Sequence, residues 1–211
     1  NELKEKGFVK PVLYESVTVI FTDFKGFTKI ASNMLPEDLL EKLDMIFLQF
    51  DQICERRNIE KLKTIGDAYM CAGGLPEINL THPIDACLAA IEMQNFMNET
   101  KSIIEQISGE QFWDMRLGIH TGTVVAGVIG KTKFAYDVWG DAVNTASRME
   151  SNGSIGKINI SDSTYIRVKD FFDCEYRGKI EAKNKGMIDM YFLLRIKPEL
   201  SRDKEGIIPN E

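Results

Sequence analysis

Residues 59–73, IEKLKTIGDAYMCAG, carry the strongest topological signal in the chain. Two strand-like runs, IEKLKTI and AYMCAG, flank Gly66-Asp67. Glycine takes a positive φ without a Cβ penalty, so this dipeptide suits a two-residue hairpin, and a hairpin means antiparallel pairing. Upstream, SVTVIFTD at 16–23 is a β-branched run that ends on Asp23. Between the two, a short helix is predicted from Phe27 to about Asn33 and a longer one opens at Pro36, with Glu37 and Asp38 in its first turn. Leu39, Leu40, Leu43, Ile46, Phe47, Phe50 and Ile53 then recur at helical spacing. Downstream, a helix is predicted over about Pro83 to Ile107. WDMRLGIH alternates, with Met115, Leu117 and Ile119 on one face and Arg116 and His120 on the other, and His120-Thr121-Gly122 reads as a turn into the apolar strand VVAGVIG. A helix from about Asp141 to Glu150, short strands at 157–160 and 172–181, and a last strand DMYFLLR follow. Hairpins without regular βαβ alternation predict an α+β fold.

With 211 residues the chain is long enough for one sizeable core and short for two. Hydrophobic residues at 44% and charged residues at 27% are ordinary for a globular protein. No apolar run approaches the roughly 18 residues of a membrane span. The net charge of −6 argues against a nucleic-acid or anionic-membrane surface, both of which call for a basic face. Cys54, Cys71, Cys87 and Cys174 are scattered without a CxxC pair, which fits reduced thiols in the cytoplasm better than a disulfide frame or zinc site. The chain opens at Asn1 with neither a Met nor a signal-like segment and reads as an excised piece, with a regulatory or sensor domain expected upstream. Residues 1–14 read as the end of a linker helix, 15–196 as one folded domain and 197–211 as a loose polar tail.

Two aspartates stand out by position. Asp23 closes the first strand and Asp67 sits at the hairpin tip. If those strands are neighbours, both carboxylates reach one edge of the sheet, where hard divalent cations find oxygen ligands. Taken singly, Gly-Asp is ordinary turn chemistry and Asp23 could be a helix N-cap.

Four segments, VTVIFTDFKGFT, KLKTIGDAYM, LGIHTGTVVAGVIG and YDVWGDAVNTASRME, together resemble the class III adenylyl and guanylyl cyclase catalytic domain, in that family's order and spacing over about residues 16–195. The resemblance implies a ferredoxin-like core (βαββαβ) with a mainly antiparallel mixed sheet flanked by helices. It makes Asp23 and Asp67 ligands of two divalent metal ions, Mg2+ or Mn2+, with the Phe24 carbonyl completing one site. It implies that Phe24, Lys25, Gly26, Phe27 and Thr28 lay backbone N–H groups against the β- and γ-phosphates, that Asn144 orients the ribose, and that Arg148 stabilises charge at the α-phosphate. Without it, Asn144 and Arg148 read as a polar helix face. Lys183 in EAKNKG matches the family's phosphate-binding lysine, although the family usually shows Lys-Gly-Lys-Gly and Asn184 stands at the first Gly position; Asn also tolerates a left-handed backbone, and Lys185 is the alternative.

The base is selected at two positions. Adenine needs a donor facing N1 and an acceptor facing its 6-amino group, and guanine reverses both. Lys63 supplies the donor and Asp137 the acceptor, where guanylyl cyclases carry Glu and Cys. Alone, Lys63 reads as a solvated strand residue beside Lys61 and Asp137 as a turn residue before Gly140. Together they imply ATP as substrate, with a guanylyl cyclase or an inactive nucleotide-binding regulatory domain as rivals. No side chain stands out as general base; His120, expected in a turn, reads as structural. Because one chain keeps both halves of the family's shared site, the resemblance implies a homodimer with two equivalent active sites.

Overall fold

The computed structural model describes residues 10–129 and 135–210. The linker helix expected over residues 1–14 falls largely on residues 1–9, outside the described residues, and its last part, from Val12 on, belongs instead to the first strand. In chain order the elements are β1 (Val12–Lys25), α1 (Phe27–Ala31), α2 (Pro36–Arg56), β2 (Ile59–Ile65), β3 (Ala68–Gly73), α3 (His82–Ser108), β4 (Asp114–Ile129), β5 (Ala135–Trp139), α4 (Asp141–Ser151), β6 (Ile158–Ser161), α5 (Asp162–Val168), β7 (Phe172–Ala182) and β8 (Gly186–Ile196). All eight strands form one sheet in the order β2-β3-β1-β4-β6-β8-β7, with β5 paired to β4. Its first four strands, joined through α2 and α3, are the expected βαββαβ core. Among the described residues β4–β6 is the one parallel pair. The mixed, mostly antiparallel α+β class is therefore as predicted.

Alternation along β1 and β4 divides the core between the two faces of the sheet. Ile20, Phe24, Met115, Leu117 and Ile119 face α2 and α3, against Ile46, Phe50, Ile53 and Met93. Val17, Val19, Val124 and Ala126 face α4, against Ala142 and Ala146. Under the end of β1 the aromatic rings of Phe24 and Trp113 stack with centroids 5.7 Å apart, and Phe47 and Tyr69 lie 5.6 Å apart beside them. Such pairs add about 0.5–1.5 kcal/mol each beyond their burial. The cluster roots both Asp23 and Asp67, since Phe24 follows the first and Tyr69 lies two residues after the second.

Three expectations change. No turn interrupts 120–122: Val17 pairs with Gly122, Thr18 with Thr121 and Val19 with His120, so β4 is one continuous strand. Gly122 reads as a turn signal in the sequence, but its role is close packing: a Cβ there would come within 3.0 Å of the Ala142 Cβ. Gly118 is tighter still, with its absent Cβ 1.9 Å from the Glu150 backbone nitrogen. These two glycines let α4 settle directly on β4. His120 is consequently a strand residue whose Nδ1 lies 2.8 Å from Ser161 Oγ.

The short helix after β1 ends at Ala31 rather than near Asn33, and β5 and α5 are additional elements. The tail after Ile196 is ordered, not loose. The Asp203 carboxylate accepts the backbone N–H groups of Ile207 (3.0 Å) and Ile208 (2.6 Å), and Leu200 and Ile207 pack on the main core. Two apolar anchors in a polar stretch suffice to fold it back. No helix among the described residues is long and apolar enough to cross a membrane.

Candidate active site

Antiparallel pairing of Thr22 with Tyr69 brings the end of β1 beside the β2–β3 turn. That turn has Gly66 at φ 62 and closes between Ile65 and Ala68. Asp67 therefore reaches the same sheet edge as Asp23. Burial raises the Asp67 carboxyl above its ordinary value, and the charge of Asp23 adds to that, while N–H bonds from its own backbone and from Phe24 pull it down. Two half-buried carboxylates that repel one another call for positive charge between them.

Part of that charge comes from Arg116, on the polar face of β4 and paired across the ladder with Asp23. Its Nη2 lies 2.8 Å from Asp23 Oδ2 and 2.8 Å from Glu150 Oε1. The contact with Asp23 is a hydrogen bond. The contact with Glu150 is one of charge only, leaving Glu150 Oε1 and Arg116 Nε buried without hydrogen-bond partners. Burial pushes the Glu150 carboxyl up to about 7, against the opposing pull of Arg116 and with added repulsion from Asp23 and Asp67. Neither Arg116 nor Glu150 was singled out from the sequence as a site residue. The alternation of WDMRLGIH did set Arg116 apart from the core face, but nothing local joins it to a glutamate 34 positions later; the Gly118 contact with α4 does.

Among the described residues no group of three or more His, Cys, Asp or Glu side chains forms a self-contained metal cage. A pair of carboxylates beside a backbone carbonyl instead fits a hard cation that keeps water or phosphate oxygens as its remaining ligands. The Phe24 side chain is in the core, which leaves its backbone as the part available to a ligand. Lys25, Gly26 and Thr28 are exposed, and Gly26 at φ 74 turns the chain into α1. α1 has only five residues, and the N–H groups of Phe27 and Thr28 have no acceptor before them in the helix.

The other expected residues lie on different elements. Lys63 Nζ on β2 meets Asp137 Oδ2 on β5 at 2.5 Å, and Asp137 Oδ1 accepts the Val138 N–H at 2.9 Å. Asn144 and Arg148 lie one turn apart on α4, and among the described residues their side chains have no hydrogen-bond or ion-pair partner. Lys183 sits exposed in the β7–β8 turn, where Asn184 takes φ 64, as the left-handed backbone requires. Lys185 in that turn is instead ion-paired with Asp141. Among the described residues no hydrogen bond or ion pair links Asp23 or Asp67 to Lys63, Asp137, Asn144, Arg148 or Lys183. The two aspartates thus stand apart from the other expected residues among the described contacts. A cavity of about 580 Å³ lined by Leu13, Ser16, Ile78, Leu80, His82 and Arg167 lies at the other end of β1 and holds none of these residues.

Comparison with known proteins identifies the family. Residues 9–195 match the family described as the adenylate and guanylate cyclase catalytic domain. Human guanylyl cyclase C is 41% identical over 203 residues, covering 94% of this chain and 19% of that protein. An adenylate cyclase of Mycobacterium tuberculosis is 40% identical over 181 residues, covering 86% of this chain and 40% of that one. The chain therefore spans less than half the length of either relative. The crystal structure of a guanylate cyclase domain from Catenaria anguillulae in complex with GTP superposes with a TM-score of 0.81 at 37% identity, covering 86% of this chain and 97% of that one. Relatives acting on either purine carry the same fold, and by its sequence and its structure this chain belongs to the adenylate and guanylate cyclase catalytic domain family.

Proposed function

We propose that the domain is an adenylyl cyclase, converting ATP to 3′,5′-cyclic AMP and pyrophosphate at a homodimer interface. The observation that carries the choice of base is the contact between Lys63 and Asp137. It sets an ammonium donor beside a carboxylate acceptor, the order that adenine N1 and its 6-amino group require. Guanine would put its N1–H against the ammonium and its O6 against the carboxylate, leaving buried polar groups unsatisfied.

Asp23, Asp67 and the Phe24 carbonyl would hold two divalent ions, Mg2+ or Mn2+. What such ions supply when bound is a lower pKa for the ribose 3′-hydroxyl and neutralisation of phosphate charge. The protein's part is positioning. Backbone N–H groups from Phe24 to Thr28 meet the β- and γ-phosphates, and the Arg116 guanidinium, next to Asp23, can pair its planar fork with phosphate oxygens. From the partner protomer, Lys63 and Asp137 hold the base, Asn144 the ribose, Arg148 the α-phosphate and Lys183 the triphosphate. The 3′-oxygen then attacks the α-phosphate in line and pyrophosphate leaves, with orientation and electrostatics lowering the barrier. Support for a shared site comes from the side chains of Asn144, Arg148 and Lys183 having no hydrogen-bond or ion-pair partner among the described residues while Asp23 has Arg116.

The test is product identification from ATP and from GTP, with Mg2+ or Mn2+, over a range of protein concentrations. Cyclic AMP with activity rising more than linearly in protein is expected. Cyclic GTP as the main product would overturn the choice of base, and linear activity from a strict monomer would overturn the shared site.

A further inference from the structure

A single nitrogen of Arg116 serves two acids. Nη2 lies 2.8 Å from both Asp23 Oδ2 and Glu150 Oε1, but only the first contact has hydrogen-bond geometry. Arg116 Nε and Glu150 Oε1 keep unused hydrogen-bonding capacity. Glu150 is 8% exposed, and its backbone is pressed onto Gly118, which fixes the root of its side chain beside β4. A carboxylate so placed is costly unless a cation compensates it, and among the described residues Arg116 is the cation in contact with it. The guanidinium therefore stands between an acid that a divalent ion would claim and an acid that no ion is needed to explain.

We infer that Glu150 is a positioning residue that lets Arg116 yield Asp23 to a divalent cation without leaving the site. The inference rests on Asp23 and Asp67 being the metal carboxylates. In the metal-free chain Arg116 is the counter-charge of Asp23 and competes for its oxygen. Glu150 offers the displaced guanidinium a second acceptor within reach, so the competition is weak. Without Glu150, Asp23 is the one acid paired with Arg116 among the described residues, and Arg116 must be displaced outright. Without Arg116 the competitor is gone, and Glu150 loses its influence.

The test is Mn2+ binding to the nucleotide-free, full 211-residue chain, followed by electron paramagnetic resonance of free Mn2+ at pH about 8.5, above the range in which Glu150 takes up a proton. Arg116→Gln is expected to bind Mn2+ about fivefold more tightly than wild type, and Glu150→Gln about fivefold more weakly. The double variant is expected to match Arg116→Gln within about twofold, since the cycle isolates coupling between neighbours. Equal weakening by Glu150→Gln in both backgrounds would mean that its own charge acts on the metal, and the inference fails. No tightening in Arg116→Gln overturns it too, and that result decides the matter even if Glu150→Gln does not fold. Asp67→Ala separates the two levels. If it leaves Mn2+ binding intact, the metal assignment falls and takes this inference with it. If it abolishes binding while the Arg116–Glu150 cycle shows no coupling, only the role of Glu150 is lost.

Discussion

The residues proposed for the two halves of the site differ in how much of their charge is settled among the described residues. Around Asp23 and Asp67, Arg116 and Glu150 complete a packed network held by the β1–β4 ladder and by α4 lying on Gly118. Around Asn144, Arg148 and Lys183 no side chain among the described residues answers the polar groups; Asn144 and Lys183 are exposed and Arg148 is half-buried. Lys63 and Asp137 lie between these extremes, paired with each other. A phosphate site needs rigid anionic ligands for cations, and those must be compensated when empty because like charges in low dielectric are costly. Groups that read the ligand from a facing surface gain by staying unpaired, since binding then breaks no internal contact. The contrast suits catalysis across an interface, where each protomer gives its organised half to one site and its open half to the other.

The largest expected effect tests that division directly. Asp67→Ala should lower cyclic nucleotide formation by about 10³-fold or more, as the loss of several kcal/mol of charge stabilisation implies. Arg148→Ala should do likewise from the other half. Equal mixtures of the two variants should recover about a quarter of wild-type activity, because half of random dimers hold one intact site of two. Mixed dimers verified by mass spectrometry that stay inactive would show that the halves do not combine.

Exchanging the middle pair sharpens the comparison further. Lys63→Glu with Asp137→Cys should shift the ratio of GTP to ATP turnover by at least about 100-fold, since a mismatched base leaves buried donors and acceptors unpaired. Each single change should give a poor enzyme for both. An unchanged product ratio in the double variant would remove the pair from base selection.

The smallest effect concerns stability and lies away from both halves. Burial lowers His82 and His120 to about 4, with nearby Lys185 and Arg167 adding to the shift at His120. Each imidazole is held neutral among hydroxyls: His82 Nδ1 lies 2.8 Å from Thr18 Oγ1, and His120 Nδ1 2.8 Å from Ser161 Oγ. The unfolded chain binds protons near pH about 6.5, where the folded one does not. The contribution of the two histidines should therefore be complete above that value and fall as pH drops towards about 4, by up to about 1.4 kcal/mol per pH unit each. The raised Glu150 carboxyl opposes it with a slope of the other sign up to about pH 7. Urea melts between pH 7.5 and about 5 measure the slope. A slope left unchanged when both histidines are replaced by Asn would mean that neither is held neutral by the fold.

Much of the architecture was legible because its signals are local. The spacing of Leu39, Leu43, Ile46 and Phe50 marks a helix, and Gly66-Asp67 between strand-like runs marks a hairpin, whatever surrounds them. Gly122 misled because a glycine has two uses, to turn a chain or to admit a neighbour, and only the neighbour distinguishes them. The tail misled for a similar reason: its polar composition hides Leu200 and Ile207, whose burial depends on a core assembled elsewhere. The candidate site divides along the same line. Asp23, Asp67, Lys63, Asp137, Asn144 and Arg148 could be named from motifs in one chain. Arg116 and Glu150 could not be joined, because their contact is made by packing between β4 and α4.

The sequence by itself determined the α+β class, the membership carried by four ordered motifs, and a donor and acceptor suited to adenine, all of which depend on residue type and spacing. Only the tertiary structure decided that Asp23 shares its arginine with a buried glutamate, that β4 runs unbroken through His120, and that the Arg148 side chain has no partner among the described residues. Those facts are distances between segments far apart in the chain, and such distances exist only once the sheet has closed its ladders and α4 has settled onto the glycines of β4.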